Sequence, residues 1–454
     1  MKELDLTQGS VPKVLLQFAV PFLIANVLQA LYGGADLFVV GQYDDSASVA
    51  AVAIGSQVMQ TITGIILGIT TGTTVLIAIA TGAKDNRKVA FTIGSSVWLF
   101  SITGVVLTLV MVLFHSRIAE LMHTPVEAMV DTKNYILVCS LGILFIVGYN
   151  VVCGILRGLG DSKTPLYFVG LACVINIVLD FILVGYFHWG ATGAAIATVT
   201  AQGVSFGIAL WFLYRHGFHF DFSRKDIRLN RNLSKKILVL GAPIALQDAL
   251  INVSFLIITV IVNQMGVIAS ASLGVVEKII VFAMLPPMAI SSAVATMTAQ
   301  NYGAGLIKRM NKCLASGIGI ALVFGVSVCV YSQFLPETLT AFFTKDAAVV
   351  AMAADYLRGY SIDCIVVSFV FCINSYFSGQ GNSLFPMIHS LIATFLFRIP
   401  LSYWFSQIDS SSLFIMGFAP PLSTVVSLLI CIWYLRYTQR KLYLRGTMMP
   451  AMSN

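Results

Sequence analysis

The chain has 454 residues, of which 58% are hydrophobic and only 10% charged, and its formal net charge is +7. A soluble domain carries roughly 25% charged residues to keep its surface wet, so a soluble globular fold is excluded and the surface must face lipid. The eight cysteines show no CxxC spacing and the six histidines no HxxxH pair, which argues against a disulfide framework and a zinc knuckle.

The opening MKELDLTQGSVPK is polar and lacks the apolar core and small-residue cleavage site of a signal peptide, so the first apolar run is expected to be a retained span. A helix needs about 20 apolar residues to cross the hydrocarbon core. Breaks at Gly, Pro and charge clusters give twelve candidate spans, near 14–40, 47–80, 89–114, 134–156, 165–187, 192–214, 236–264, 268–299, 313–335, 356–377, 386–407 and 413–436. With the N-terminus in the cytoplasm, that side receives Lys84, Arg87 and Lys88, Arg157 and Lys163, Arg224 to Lys236, Lys308, Arg309 and Lys312, and Arg436 to Arg445. The other side receives Arg117, Lys133, Lys345 and Arg358. Basic residues in short loops stay inside, so both termini are expected to be cytoplasmic. The positive charge is a topology signal, and no nucleic-acid partner is expected.

The scaffold is duplicated. Arg157-Gly-Leu-Gly-Asp-Ser-Lys-Thr-Pro165 returns 221 residues later as Ser378-Gly-Gln-Gly-Asn-Ser-Leu-Phe-Pro386. The same shift carries Gly82-Ala83 onto Gly303-Ala304, and a shift of 222 carries Pro21 onto Pro243. The expected fold is therefore an all-α integral membrane protein. Its twelve transmembrane helices form two six-helix bundles related by internal pseudo-symmetry, with a V-shaped cleft between them. The expected boundaries are 1–220 for the first bundle, 221–235 for a cytoplasmic linker and 236–454 for the second. The G-x-G-[DN]-S-x-x-P loops are turns between helices; no strand precedes them and no GK[ST] follows, which sets a phosphate cradle aside.

Two carboxylates inside the spans stand out. An ionised Asp at mid-membrane costs roughly 2.5 to 3.5 kcal/mol on insertion scales. Yet Asp36 lies in the first span and Asp180 in the fifth, within VINIVLDFILV. Gln29, Tyr32 and Asp36 follow at steps of three and four, so they share about 60° of helical arc, and Asn26 borders that stripe. Asn176 lies one turn before Asp180, and the sixth span offers Thr198, Thr200 and Gln202 among small residues. At the repeat shift Asp36 falls on Ile258, Asn176 on Phe397 and Asp180 on Leu401. The scaffold is thus duplicated and the polar set is not, which favours function over packing. The second half has its own polar residues: Asp248 and Glu277 are candidate substrate contacts, Lys278 adjoins Glu277, and Arg398 lies in the eleventh span.

Taken together, Leu6-Thr7-Gln8-Gly9-Ser10 followed by Pro21, the run from Leu31-Tyr32 to Asp36 ending in Val40-Gly41, the Gly82-Ala83 loop, the 157–165 motif and the pair Asn176 and Asp180 resemble the MATE family, the multidrug and toxic compound extrusion transporters. The resemblance spans the whole chain. It implies a secondary antiporter of the cell membrane, without enzymatic activity or cofactor, that exports amphipathic, often cationic, small molecules against H⁺ or Na⁺. It places a cation site at Asp36, Asn176, Asp180 and Thr198, open to Na⁺ as metal, with Tyr32 lining it, and a helix bend at Pro21. Gln29 and Asn26 are expected to line the site or the cleft, and a single copy is expected to act. Two neighbouring carboxylates cannot both stay charged in a low-dielectric site without a cation or a proton, so ion and cationic cargo would exclude one another, as antiport requires. A flippase for lipid-linked oligosaccharides on a similar scaffold is the alternative, though it calls for a more cationic cavity. A membrane-embedded enzyme lacks any Ser/His or HExxH constellation.

Overall fold

A computed structural model describes residues 4–408 and 412–448. Of the expected basic cluster at Arg436 to Arg445, the side chains beyond Gln439 lie outside the described residues, as does that of Arg224. All regular structure among the described residues is helical. The spans are α1 (Val11–Tyr43), α2 (Ser46–Gly82), α3 (Asn86–Leu121), α4 (Val126–Leu141 and Ile143–Leu159), α5 (Lys163–Tyr186), α6 (Gly190–His216), α7 (Arg231–Asn263), α8 (Val267–Gly303), α9 (Ile307–Phe334), α10 (Ala347–Ser361 and Asp363–Gly379), α11 (Leu384–Ile408) and α12 (Met416–Gln439).

Ten of these are single helices, while α4 and α10 are pairs bent by 48° and 43°. The bends fall at Gly142 and Ile362, so the duplication extends to where helices break. Helix starts are set by short polar side chains that satisfy free backbone N–H groups. Asp45 accepts from Ser48 N at 2.9 Å ahead of α2, and Asp85 from Lys88 N at 3.0 Å ahead of α3. The repeated glycine loop is a turn of the same kind. Gly160 closes α4 with φ +98°, where a side chain would be strained, and Asp161 then accepts from Lys163 N and Thr164 N, both at 3.0 Å. In the second copy Gly381 has φ +87° and Asn382 accepts from Phe385 N at 3.4 Å.

One feature departs from the expected regularity. Both α5 and α11 widen into π-helical turns, at Phe181–Tyr186 and Ala393–Arg398. The first begins directly after Asp180. Pro21 lies inside α1, which runs without a break from Val11 to Tyr43. α1 packs against α2, α5 and α6.

The chain forms two compact units, Met1–Ala249 with Thr296–Met310, and Leu250–Ala295 with Asn311–Asn454. The start of α7 and the end of α8, expected with the second half, therefore pack with the first. In the first unit Ile66, Phe100, Ile136, Ile143 and Ile155 are fully enclosed, and Ile237 of α7 joins the same core. Phe218 and Phe220 after α6 and Phe222 of the linker pack against it. Trp98 Nε1 donates to Ile227 O at 2.9 Å, which ties the linker to α3. In the second unit Ile258, Val262, Val276, Ala353 and Leu413 form the core. All eight cysteines are buried, and none forms a disulfide among the described residues.

Candidate functional site

Small residues let three helices of the first unit meet closely. Ala194, Ala195, Ala197 and Ala201 on α6 are fully buried, so α6 and α5 reach α1 near the level of Asp36. There Thr198 Oγ1 donates to Asp36 Oδ2 at 3.1 Å, and Asn176 Nδ2 donates to Thr198 Oγ1 at 3.4 Å. The carboxyl group of Asp180 faces that of Asp36. Asp36 is 3% exposed, and Asn176 and Asp180 are 0% exposed. The four residues placed at a cation site from the sequence thus form one cluster.

The remaining oxygens define its chemistry. Asp36 Oδ1, Asn176 Oδ1, both oxygens of Asp180 and Gln202 Oε1 are buried acceptors with no hydrogen-bond partner, and the Tyr32 hydroxyl is a buried donor with none. Each such group costs roughly 1–3 kcal/mol when left alone, so a concentration of oxygens without donors is a site short of positive charge. A proton or a hard monovalent cation fits two carboxylates, an amide carbonyl and a hydroxyl; a soft metal prefers sulfur or imidazole. Beside the cluster lies a cavity of about 20 Å³ lined by Gln29, Tyr32, Tyr149, Val169, Ala172, Cys173 and Gln202. That volume suits a single water molecule and is far below the roughly 300 Å³ of a drug-sized pocket.

Other residues named from the sequence lie elsewhere. Asn26 is half-buried on α1 more than two turns from Asp36, and Pro21 is buried further along the same helix. Asp248 on α7 is exposed. Glu277 on α8 is half-buried within reach of Thr259 and Arg398. Arg398 stacks its guanidinium 4.2 Å above the Phe255 ring. Its Nε and Nη2 are buried without partners, and its charge acts on Glu277, Tyr356, Tyr360 and Asp363.

Sequence reasoning passed over three groups. Asp363 is 5% exposed at the start of the second segment of α10, and its Oδ1 has no partner. The cost argument that singled out Asp36 applies to it equally. Tyr135 and Cys139, one turn apart on α4, face the charge of Asp36, and the Tyr135 hydroxyl lies 2.9 Å from Ser56 Oγ. His389 on α11 is held by Ser427 Oγ at 2.8 Å and Asn374 Oδ1 at 2.7 Å, a buried network with no sequence signature.

Comparison with known proteins identifies the family. The MatE family model matches the chain twice, over residues 21–182 and 243–404, which repeats the internal duplication. The probable multidrug resistance protein YpnP of Bacillus subtilis is 29% identical over 407 residues, covering 89% of this chain and 91% of its own. The multidrug export protein MepA of Staphylococcus aureus is 26% identical over 380 residues, covering 82% of each. A solved structure described as the outward-facing conformation of a multidrug resistance MATE family transporter superposes with a TM-score of 0.90 at 23% identity, covering 96% of this chain and 98% of that one. With both halves matched by the family model and the two-bundle helical fold in place, the chain belongs to the MATE family of membrane transporters.

Proposed function

We propose that the protein exports amphipathic cationic compounds across the cell membrane in exchange for H⁺ or Na⁺, by alternating access, with the ion held at Asp36, Asn176, Asp180 and Thr198. The observation that carries this is the set of buried oxygens without donors shared by α1, α5 and α6. When the ion is bound, one positive charge relieves several orphaned groups at once and draws the three helices together. Without it the facing carboxylates repel. A cationic cargo favours that negative state, so ion and cargo oppose one another through a coupling free energy that is reciprocal by necessity. The names of the relatives, multidrug resistance and multidrug export proteins, support the cargo class. The distribution of Lys and Arg among short loops supports cytoplasmic termini.

The test is ethidium efflux from purified protein in liposomes, under an imposed pH gradient or an imposed Na⁺ gradient, for wild type and Asp180→Asn. Efflux driven by one gradient and lost in the variant names the coupling ion. Efflux that persists undiminished in the variant removes Asp180 from coupling.

A further inference from the structure

The motif Leu6-Thr7-Gln8-Gly9-Ser10 has no part in the ion site, and its packing gives it another task. Residues 4–10 form an irregular strap ahead of α1, held by side chains from one copy of the repeat and a loop from the other. Leu4 N donates to Gly160 O at 3.3 Å, in the glycine loop between α4 and α5. Asn301, at the end of α8, donates to Leu6 O at 3.2 Å. Arg309, at the start of α9, donates from Nη1 to Gly9 O at 2.7 Å and from Nη2 to Gln8 O and Leu6 O. Leu6 itself is fully buried. One guanidinium thus holds three backbone carbonyls of a segment that has no helix or sheet to satisfy them, a task suited to a planar fork of donors.

Beneath the strap two helices cross with their backbones in contact. A β-carbon on Gly82 of α2 would overlap the carbonyl oxygen of Gln300 on α8, and one on Gly303 of α8 would overlap that of Ile79 on α2. Ile79 and Gln300 are themselves 221 residues apart, so the crossing is symmetric about the duplication. The clasp is not. At the same shift Asn301 corresponds to Ala80, Gln300 to Ile79 and Arg309 to Lys88, so the first copy lacks the groups that grip a strap. Gln300 adds a further tie, donating from Nε2 to Gly158 O at 3.1 Å.

All these loops follow even-numbered spans and lie at one membrane face. We infer that the strap is a latch that holds the crossing of α2 and α8 shut at this face, and that Arg309 is the positioning residue that sets how often it opens. A transporter that loads from this side must part these helix ends. They cannot part while residues 4–10 are tied at once to Gly160, Asn301 and Arg309. The inference depends on the protein being a transporter and is independent of which ion drives it.

The test is hydrogen–deuterium exchange of wild type, Arg309→Gln and Arg309→Lys in liposomes, together with the KM for ethidium offered at this face. In Arg309→Gln, exchange over residues 76–84 and 297–303 should be several-fold faster, with α10 unchanged. KM should fall, because apparent affinity follows the fraction of molecules open to the ligand. Arg309→Lys retains the charge but offers no fork, and should move both readouts in the same direction by a smaller amount. It carries the test by itself should the glutamine variant fail to accumulate. Unchanged exchange and KM in Arg309→Gln would overturn the latch, as would an Arg309→Lys protein indistinguishable from wild type.

Discussion

Thr198 ties α6 to α1 and α5 with a single hydroxyl, which donates to Asp36 and accepts from Asn176. Thr198→Val keeps the shape and strips both partners, leaving a buried acceptor and a buried donor unsatisfied, at roughly 1–3 kcal/mol. The ion concentration for half-maximal efflux should shift by about 10-fold or more, while Thr198→Ser stays close to wild type; equal behaviour of the two would show that the hydroxyl is idle. Asp36 and Asp180 were legible in the sequence because an intramembrane carboxylate carries a cost that demands a reason. Thr198 was less so, since a threonine costs little in a helix, and only the small-residue setting of α6 marked it. Asp363 satisfied the same criterion as Asp36 and escaped notice because it stands in no polar stripe at helical spacing. Tyr135 and Cys139 could not be found, because contact between α4 and α1 is a fact of packing with no trace in either segment alone.

At the scale of elements, the spans, the duplicated turns and the caps were written in hydropathy and in Gly, Asp and Pro at fixed offsets. The π turns were not. A π turn adds one residue to a helix without altering its composition. With the Ala393–Arg398 turn as that added residue, Asn176 corresponds to Arg398 and Asp180 to Ser402, so the second copy still lacks the carboxylate. The crossing of α2 and α8 leaves no room for a methyl group. Gly303→Ala should cost about 1–3 kcal/mol by overpacking, measured as a lower thermal midpoint in detergent, whereas Gly207→Ala on α6, with open space around it, should leave the midpoint unchanged. In the linker, the backbone N–H of Ser223 holds the Asp226 carboxyl below the usual carboxylate range, helped by the Ser223 hydroxyl and by Arg228 and Arg87. A depressed folded value means that this tie is present above the ordinary carboxylate range and is lost as pH falls through the depressed value. Protection of backbone amides over residues 222–228, taken relative to the intrinsic exchange rate at each pH, should therefore fall in acid, and Asp226→Asn should lower it at neutral pH.

At the scale of the whole molecule, the duplication in sequence and the division in packing do not coincide. The start of α7 lies against α2 so closely that β-carbons on Gly68 and Gly72 would overlap Ala245 and Ile237. Residues 1–235 expressed alone should therefore be degraded, because the backbone face of α2 would lack its partner, and co-expression of 236–454 should restore a protein that binds ethidium. Stable accumulation of 1–235 by itself would show that the first half is self-sufficient. The sequence could locate the repeat but not this exchange of helix ends, which depends on three-dimensional neighbours. The eight buried thiols have a practical consequence. None is offered to a water-soluble maleimide, so the protein carries its own silent background for labelling. A lone cysteine placed at an exposed loop position such as Ser223 becomes the one thiol to report from which side of the membrane it is reached, and the orientation of every loop can be mapped without first rebuilding the interior.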